Sequence, residues 1–315
     1  MSHARKQTAL RSVLNWVPGR GAAAKAEALA EAGVGRSLWE DAWRRLKRNR
    51  AAIASLWFLG LICLGCVVIP WVWPYGYAEP DWNLMYHAPT FAGAHLFGTD
   101  ALGRDLFVRV MWGCRISLMV GLVATVVTLL IGVTWGAVAG FVGGRVDGLM
   151  MRFVDILYSI PFIPFVIILM VLFGRDLFLV FAAIGAVSWL DIARIVRGQT
   201  LSLRKKEFVE AARASGVRDG AIIGRHIVPN LIGIVVVYVT LTIPTVILFE
   251  AFLSFLGLGV QAPLTSLGGL VSDGSAVLES YPYMLVIPAI FLAVIVYCFN
   301  FIGDGLRDAL DPKDR

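Results

Sequence analysis

Charged side chains are scarce in this sequence, and apolar ones are abundant. Lys, Arg, Asp and Glu make up 16% of the 315 residues, 58% are hydrophobic, and the mean hydropathy is +0.75. A soluble globular domain has about 45–50% apolar residues and about 25% charged ones. The composition therefore excludes an ordinary soluble domain and predicts an all-α polytopic membrane protein.

Cysteine and histidine are also rare, with four of each. Cys63 and Cys66 have the spacing of a redox or metal motif, but they lie in an apolar run, where small packing residues are the simpler interpretation. The histidines are scattered along the chain and suggest no metal cluster. We therefore predict no catalytic residue, no metal site and no cofactor bound directly.

A phosphate-binding loop of the form Gly-x-x-x-x-Gly-Lys-Ser/Thr is absent from the sequence. We therefore expect no ATP hydrolysis by this chain, and any ATP and Mg that drive transport would be hydrolysed by partner subunits. The net charge of +6 comes from Lys and Arg clustered in the segments that orient the chain, so we predict no nucleic-acid partner.

Long apolar runs predict six transmembrane helices, each close to the roughly 20 residues that a bilayer requires. The six runs are at about 51–69, 116–141, 150–173, 177–193, 231–257 and 284–303. Within the second run, Gly132, Gly136 and Gly140 recur at every fourth residue, which predicts close approach of another helix.

The distribution of Lys and Arg orients these helices. With both termini inside, the inner segments hold 24 of the 28 basic residues, and the outer segment at 258–283 holds none. Cytoplasmic connections carry the excess of positive charge. The protein is therefore predicted to be N-in/C-in, with the segment around Glu210 in the cytoplasm.

The segment before the first apolar run has the features of an interfacial helix. Ser37 and Glu40 fit a capping box, and Trp39 and Trp43 precede the span. Five basic residues complete the polar face: Arg44, Arg45, Lys47, Arg48 and Arg50. We predict an amphipathic helix at 37–50 that contacts membrane lipid. A basic helix without lipid contact is the alternative.

A charged segment at 204–229 separates two apolar runs and must lie in water. Helix-forming residues at 208–214 are followed by Gly216, a natural helix stop, and Asp219 can cap a second short helix. Pro229 then opens the next span. The residues alone leave two interpretations open. The first is a docking element that bends at Gly216 and whose bare face, formed by Ala211 and Ala212, enters a groove. The second is a solvated loop with pairs along a helix.

The segment nevertheless resembles a known signature. Glu210, Ala211 and Ala212, followed by Gly216 and then by Pro229, are similar to the Glu-Ala-Ala signature of ABC-importer permeases, although Val228 stands where that family usually has Leu. The resemblance implies that Glu210, Ala211, Ala212, Gly216 and Pro229 couple the permease to a cytoplasmic ATPase.

Three further stretches extend the resemblance to the dipeptide, oligopeptide and nickel branch of these permeases, and most closely to the second permease of oligopeptide importers. They are His95–Asp105, Glu250–Gly259 and Asn300–Pro312. The similarity covers about 36–315, with Leu267 in place of the usual Trp. It implies a type I ABC importer permease fold, a homologous permease partner, two ATPase subunits and a periplasmic peptide-binding protein.

We predict a multi-pass protein of the bacterial inner membrane that imports oligopeptides. The expected organisation is a flexible cytoplasmic tail at 1–36, the interfacial helix at 37–50, a first transmembrane helix at 51–73, a periplasmic segment at 74–113, a transmembrane core at 114–304 with a coupling loop at 197–230, and a cytoplasmic C-terminus at 305–315.

Three alternatives stay open. Dipeptides or nickel could be the cargo, the chain could be a scaffold subunit, or it could be an ion-coupled secondary transporter. The last alternative needs an ionisable group near the membrane midplane. Glu250 lies 19 residues beyond Leu231 and therefore close to the outer face, about 28 Å along a helix.

The predicted orientation can be measured with single cysteines at Ser215 and Ser275 in a background that lacks the four native cysteines. Because the two positions lie on opposite sides of the predicted membrane, an impermeant thiol reagent should label Ser275→Cys from outside and Ser215→Cys only from inside. Labelling of both variants from outside would contradict the orientation.

Overall fold

The computed structural model describes residues 38–91, 93, 95–174 and 177–310. The predicted cytoplasmic tail at 1–36 lies outside the described residues, as do the last five residues of the predicted cytoplasmic C-terminus. The chain divides into two units, residues 1–44 and residues 45–315, and the second unit holds nearly all described elements.

The described residues are organised in eleven α-helices, which confirms the all-helical prediction. They are α1 Leu38–Arg48, α2 Arg50–Val72, α3 Leu106–Val142, α4 Gly144–Ser159, α5 Phe162–Phe173, α6 Leu177–Leu203, α7 Glu207–Ala214, α8 Asp219–Ile222, α9 Val228–Phe255, α10 Leu267–Ser275 and α11 Tyr283–Leu310. The predicted interfacial helix corresponds to α1, and its lipid contact stays a prediction.

Four helices in the described part of the chain are long and apolar enough to cross a membrane, and a bent pair would make a fifth span. The four are α2, α3, the continuous helix Asp219–Phe255 and α11. The predicted fourth run at 177–193 lies within α6. The count of six spans therefore stays a prediction.

The helix that contains the second predicted span, α3, begins at Leu106, ten residues before that span. Asp105 caps this helix by accepting a hydrogen bond from the backbone N–H of Val108 (2.9 Å). Arg109 can lie within the first turns because its guanidinium reaches Asp100 and the carbonyl of Tyr77. The predicted periplasmic segment at 74–113 thus includes the first turns of α3, and its outer bound stays a prediction.

Proline acts differently at two helix positions. Pro70 lies inside the last turn of α2 and does not end it, since the helix continues to Val72. The predicted span at 150–173 is divided between α4 and α5, which meet at a bend of 85°, and its crossing of the membrane as one span stays a prediction. Pro161 lies at the bend, where a proline ring removes a backbone hydrogen bond and clashes with the preceding turn.

The glycine repeat of α3 contacts α6, which confirms the predicted close helix approach. A Cβ atom on Gly132 would lie 2.8 Å from the Cβ of Ile192, and one on Gly140 would lie 2.7 Å from the Cβ of Thr200. A Cβ on Gly136 would collide with the carbonyl oxygen of Ala193. The two backbones therefore pack with no room for side chains between them.

Buried side chains from α2, α3, α9, α10 and α11 form a second packing centre at the opposite end of the bundle from the 204–229 segment. Its members include Cys66, Val110, Ile247, Leu267 and Ile295. This cluster joins the first span to the remaining helices and supports α10 across the ends of α3 and α9.

The glycine contact predicts a strong difference between two alanine substitutions. Gly136→Ala should destabilise the purified protein by about 1–3 kcal/mol, because the added methyl group overpacks the contact with α6. Gly198→Ala in α6 is the matched control, since a Cβ there meets no atom within 4 Å. Thermal unfolding in detergent measures both, and equal midpoints would contradict the proposed packing.

Candidate functional site

The segment with the Glu-Ala-Ala signature, residues 204–229, is called the Glu210 loop below. It consists of α7, a turn at 215–218, α8 and a π-helical turn at Ile223–Ile227 that leads into α9. The two short helices were predicted from the sequence. Asp219 does not cap α8, however, because Arg218 is the cap residue and makes no side-chain capping bond.

Gly216 ends α7 in the left-handed conformation, with φ of +77°. Its N–H donates to the carbonyl of Arg213 (2.9 Å), and the N–H of Val217 donates to that of Ala212 (3.1 Å). This pattern satisfies carbonyls that the helix end would otherwise leave free. The predicted bend at Gly216 is thus confirmed, and a side chain there would be strained although space is available.

Pro229 lies in the first turn of α9, as predicted, but it does not begin a separate helix. The helix is continuous from Asp219 to Phe255. Proline has no N–H to donate, and its ring clashes with the carbonyl of the turn before it. The π turn at Ile223–Ile227 opens that turn, and the side-chain amide of Asn230 donates to the carbonyl of His226 (2.6 Å).

The signature residues divide between two faces of α7. Glu210 and Ala211 are exposed, and the Glu210 carboxylate makes no hydrogen bond or ion pair with another described residue. Ala212 is half-buried against the cluster that also contains Val209, so the prediction that Ala211 and Ala212 share one bare face is wrong. The helical period turns successive residues by about 100°, which carries Ala212 inward.

The buried face of the loop packs on the ends of α3 and α6. Val209, Ile222 and Ile227 are fully buried in one cluster with Phe141 and Val196. This contact places the exposed Glu210 face on a support made by two apolar helices. A displacement of the loop must therefore move α3, α6 or α9 with it, because close-packed interiors transmit strain.

Two arginine side chains also connect the Glu210 loop to the end of α3. The guanidinium of Arg213 lies 4.7 Å from the ring centroid of Phe141, in a cation–π contact. Arg204 donates from Nη1 to the carbonyls of Gly140 and Phe141, both at 3.3 Å, and so satisfies the free end of α3. The sequence interpretation missed both roles, because they join residues more than 60 positions apart.

A paired arginine holds α4 against α6. Arg197 donates to both carboxylate oxygens of Asp147, from Nε at 2.9 Å and from Nη2 at 2.6 Å. This two-bond geometry fixes orientation as well as distance. Arg194 and Asp155 pair at 2.8 Å further along the same helices, but both side chains are exposed, and such pairs contribute little stability.

Glu250 lies at the far end of α9 and is fully buried. Its carboxylate accepts hydrogen bonds from the hydroxyls of Ser117 (3.1 Å) and Ser254 (2.9 Å). Ser117 in turn accepts from the backbone N–H of Leu267 (3.1 Å). The carboxylate therefore joins α3, α9 and the start of α10, away from the Glu210 loop.

The arrangement of the Glu210 loop suits contact and the transmission of motion rather than bond chemistry. Residues 204–229, all of which the structure describes, contain no buried nucleophile–base pair. Within the ranges that the structure describes, no group of three or more His, Cys, Asp or Glu side chains could hold a metal ion.

Comparison with known proteins places this geometry in a family. Residues 132–315 match the model for the binding-protein-dependent transport system inner membrane component, and residues 37–89 match the N-terminal TM domain of oligopeptide transport permease C. In fold, the chain is similar to the MetNI methionine ABC transporter in an inward-facing conformation, with a TM-score of 0.53 and 20% identity over 63% of this chain and 94% of that one.

The sequences of curated relatives align with this chain over most of their length. The oligopeptide transport system permease protein OppC of Haemophilus influenzae is 58% identical, covering 89% of this chain and 90% of its own. OppC of Escherichia coli K12 is 57% identical, covering 89% and 93%. The dipeptide transport system permease protein DppC of Bacillus subtilis is 44% identical, covering 89% and 87%. The chain therefore belongs to the family of binding-protein-dependent transport system inner membrane components, and within it to the OppC permeases.

Proposed function

We propose that this protein is the transmembrane permease subunit of an ATP-driven oligopeptide importer in the bacterial inner membrane. It forms the translocation pore with a homologous permease. Two ATPase subunits bind in the cytoplasm and hydrolyse ATP with Mg, while a periplasmic peptide-binding protein delivers the cargo. Membrane lipid surrounds the spans as a further partner, and nucleic acid has no part in the function.

The observation that carries this proposal is the position of Glu210 and Ala211. Both are exposed on a short helix whose other face is buried against α3 and α6. A surface that is open to a partner and rigidly connected to two spans is what a coupling element requires. Glu210 would accept a hydrogen bond from a donor on the ATPase, and Ala211 leaves the space into which a groove wall fits.

The cargo is inferred from the relatives. Those named for oligopeptide transport in Haemophilus influenzae and Escherichia coli are 57–58% identical, whereas the dipeptide permease of Bacillus subtilis is 44% identical. This difference supports oligopeptides rather than dipeptides as cargo.

The position of Glu250 speaks against an ion-coupled transporter. An ion site of that class lies near the membrane midplane. Glu250 is only five residues before the end of α9, and two serine hydroxyls already occupy its carboxylate. Uptake that followed the proton gradient and did not require ATP would restore this alternative.

Blocking the exposed face of α7 should separate the permease from its ATPase. We expect Ala211→Trp to leave insertion and pairing with the sister permease intact and to weaken ATPase binding roughly 5- to 150-fold, the effect of losing a contact worth about 1–3 kcal/mol. The measurement is the amount of ATPase retained on the purified complex, together with peptide uptake by cells.

Ala276→Trp is the matched control, because Ala276 is exposed beside α10 at the other end of the bundle. Retention should be unchanged in this variant. If Ala211→Trp also retained the ATPase and supported uptake at the wild-type level, the Glu210 loop would not be a docking element and the proposed coupling would be wrong.

The bend at Gly216 generates a second prediction. Gly216→Ala places a side chain in the left-handed region, at a cost of roughly 1 kcal/mol, so we expect a reduced ratio of peptide uptake to ATP hydrolysis. Gly220→Ala is the control, because Gly220 is helical and a Cβ there meets no atom within 4 Å. An equal ratio in the two variants would contradict a role for the bend.

A further inference from the structure

A polar cavity of about 320 Å³ lies at the end of the bundle opposite the Glu210 loop. Its walls come from the start of α3, the end of α9, the connection at 257–265 and α10. The volume is at the lower end of the range for small-molecule sites, which is enough for one end of a peptide rather than a whole one. The outer segments of the chain form this cavity, and the Glu210 loop has no part in it.

Two arginines line one wall of the cavity. Arg104 and Arg109 both line it, and both contact the single carboxylate of Asp100, at 2.7 and 3.2 Å. That carboxylate also accepts hydrogen bonds from the backbone N–H groups of Leu102 (2.8 Å) and Arg104 (3.0 Å). Its acceptor capacity is thus filled, and the two guanidinium groups share this one carboxylate as their ion-pair partner.

Arg109 is the more buried of the two arginines, with a side chain that is only 3% exposed. Its Nε lies 3.2 Å from Oδ2 of Asp100 without hydrogen-bond geometry, and its Nη1 donates to the carbonyl of Tyr77 (3.2 Å). Two guanidinium groups that share one carboxylate are only partly compensated, so a carboxylate that enters the cavity would be bound favourably. The planar guanidinium group of arginine can donate two parallel hydrogen bonds to a carboxylate, which makes a carboxylate the favoured acceptor.

The wall formed by α10 and the 257–265 connection offers acceptors and neutral polar groups. Asp273 lines it together with Gln261 and Ser272. Arg109 and Arg104 are the positive charges near Asp273, but within the described parts of the chain neither forms an ion pair with it. A ligand that fits both walls therefore carries a carboxylate on one side and an N–H donor next to it. The last residue of a peptide has this pattern, with its terminal carboxylate and its backbone amide.

We propose that this cavity, called the outer arginine pocket, binds the carboxy-terminal end of the transported peptide as it leaves the binding protein. The carboxylate contacts the guanidinium groups of Arg104 and Arg109, and the last backbone N–H donates to Asp273. Gly257 in the wall has no side chain, and a Cβ there would meet no atom within 4 Å, so this part of the wall leaves room for the terminal residue of the peptide to vary. This inference depends on the proposed function, because it assumes that peptides are the cargo.

The test compares one tripeptide as a free acid with the same tripeptide as a carboxy-terminal amide. The complete importer is reconstituted in vesicles with its binding protein, and the two uptake rates give an acid-to-amide ratio. Because the binding protein is the same for every permease variant, its own preference cancels when ratios are compared. Arg104→Gln should lower the ratio about tenfold, the effect of losing one charge-assisted hydrogen bond.

A second variant avoids the structural ion pair. Gln261 is exposed, and its side-chain amide donates to the carbonyl of Gly259 (2.8 Å). Gln261→Glu adds a negative charge to the cavity, which repels the free acid but not the amide, so the ratio should again fall. Asp273→Asn removes a negative charge and should leave the ratio unchanged or raise it. Uptake of the amide reports whether each variant is folded and coupled.

Three outcomes would overturn the inference. The first is a wild-type ratio in both Arg104→Gln and Gln261→Glu. The second is an equal loss of acid and amide uptake with weaker stimulation of ATP hydrolysis by the binding protein, which would assign the arginines to a carboxylate of that protein. The third is a wild-type importer that transports neither peptide, which refutes the proposed function and this inference with it.

Discussion

The backbone contact between α3 and α6 is the constraint on which the rest of the bundle depends. Because the glycine repeat of α3 leaves no side chains between the two helices, the backbone of each restricts the position of the other. The bidentate pair of Arg197 and Asp147 then fixes α4 on the same helix. The Glu210 loop is supported by the ends of both helices, so its position follows from the same contact.

The two ends of the bundle use polar groups in different ways. Near the Glu210 loop, arginines reach backbone carbonyls and an aromatic ring of α3, and the Glu210 carboxylate has no partner among the described residues. At the other end, carboxylates are buried and receive serine hydroxyls, backbone N–H groups and guanidinium groups. The first arrangement leaves an exposed face, which we propose as the surface for a protein partner. The second holds helices together and leaves two guanidinium groups sharing one carboxylate.

Much of the helical organisation could be predicted from the sequence, because apolar length and glycine spacing are local signals. The close approach of α3 to another helix and the bend at Gly216 belong to this class. The break between α4 and α5 was signalled by Pro161, but a proline in an apolar run can either kink a span or divide it, and the tertiary contacts decide. The early start of α3 was missed because the partners of Arg109 lie outside the apolar run.

The local structure of the candidate site was predicted only in part. Gly216 ends α7 as the sequence predicted, and Glu210 and Ala211 are exposed, whereas the coupling role of these residues stays a prediction. Ala212 faces inward because Val209 anchors α7, and a short charged helix gives no sequence signal of what packs beneath it. The contacts of Arg204 and Arg213 with α3 join residues that are distant in the sequence, and spacing within one segment cannot reveal them.

The π turn before Pro229 has a consequence for the rotational phase of the loop relative to the membrane span. A turn that closes on the fifth residue brings positions five apart over one another, whereas an α-helix would place them on different faces. Ile222 and Ile227, five residues apart, are accordingly buried in one cluster with Leu231. Removing one residue from this turn would restore regular α-helical winding and rotate everything before it by about 100° about the axis of α9. The single extra residue therefore sets the rotation of the loop about the helix axis, so that the loop and the span bury the same face.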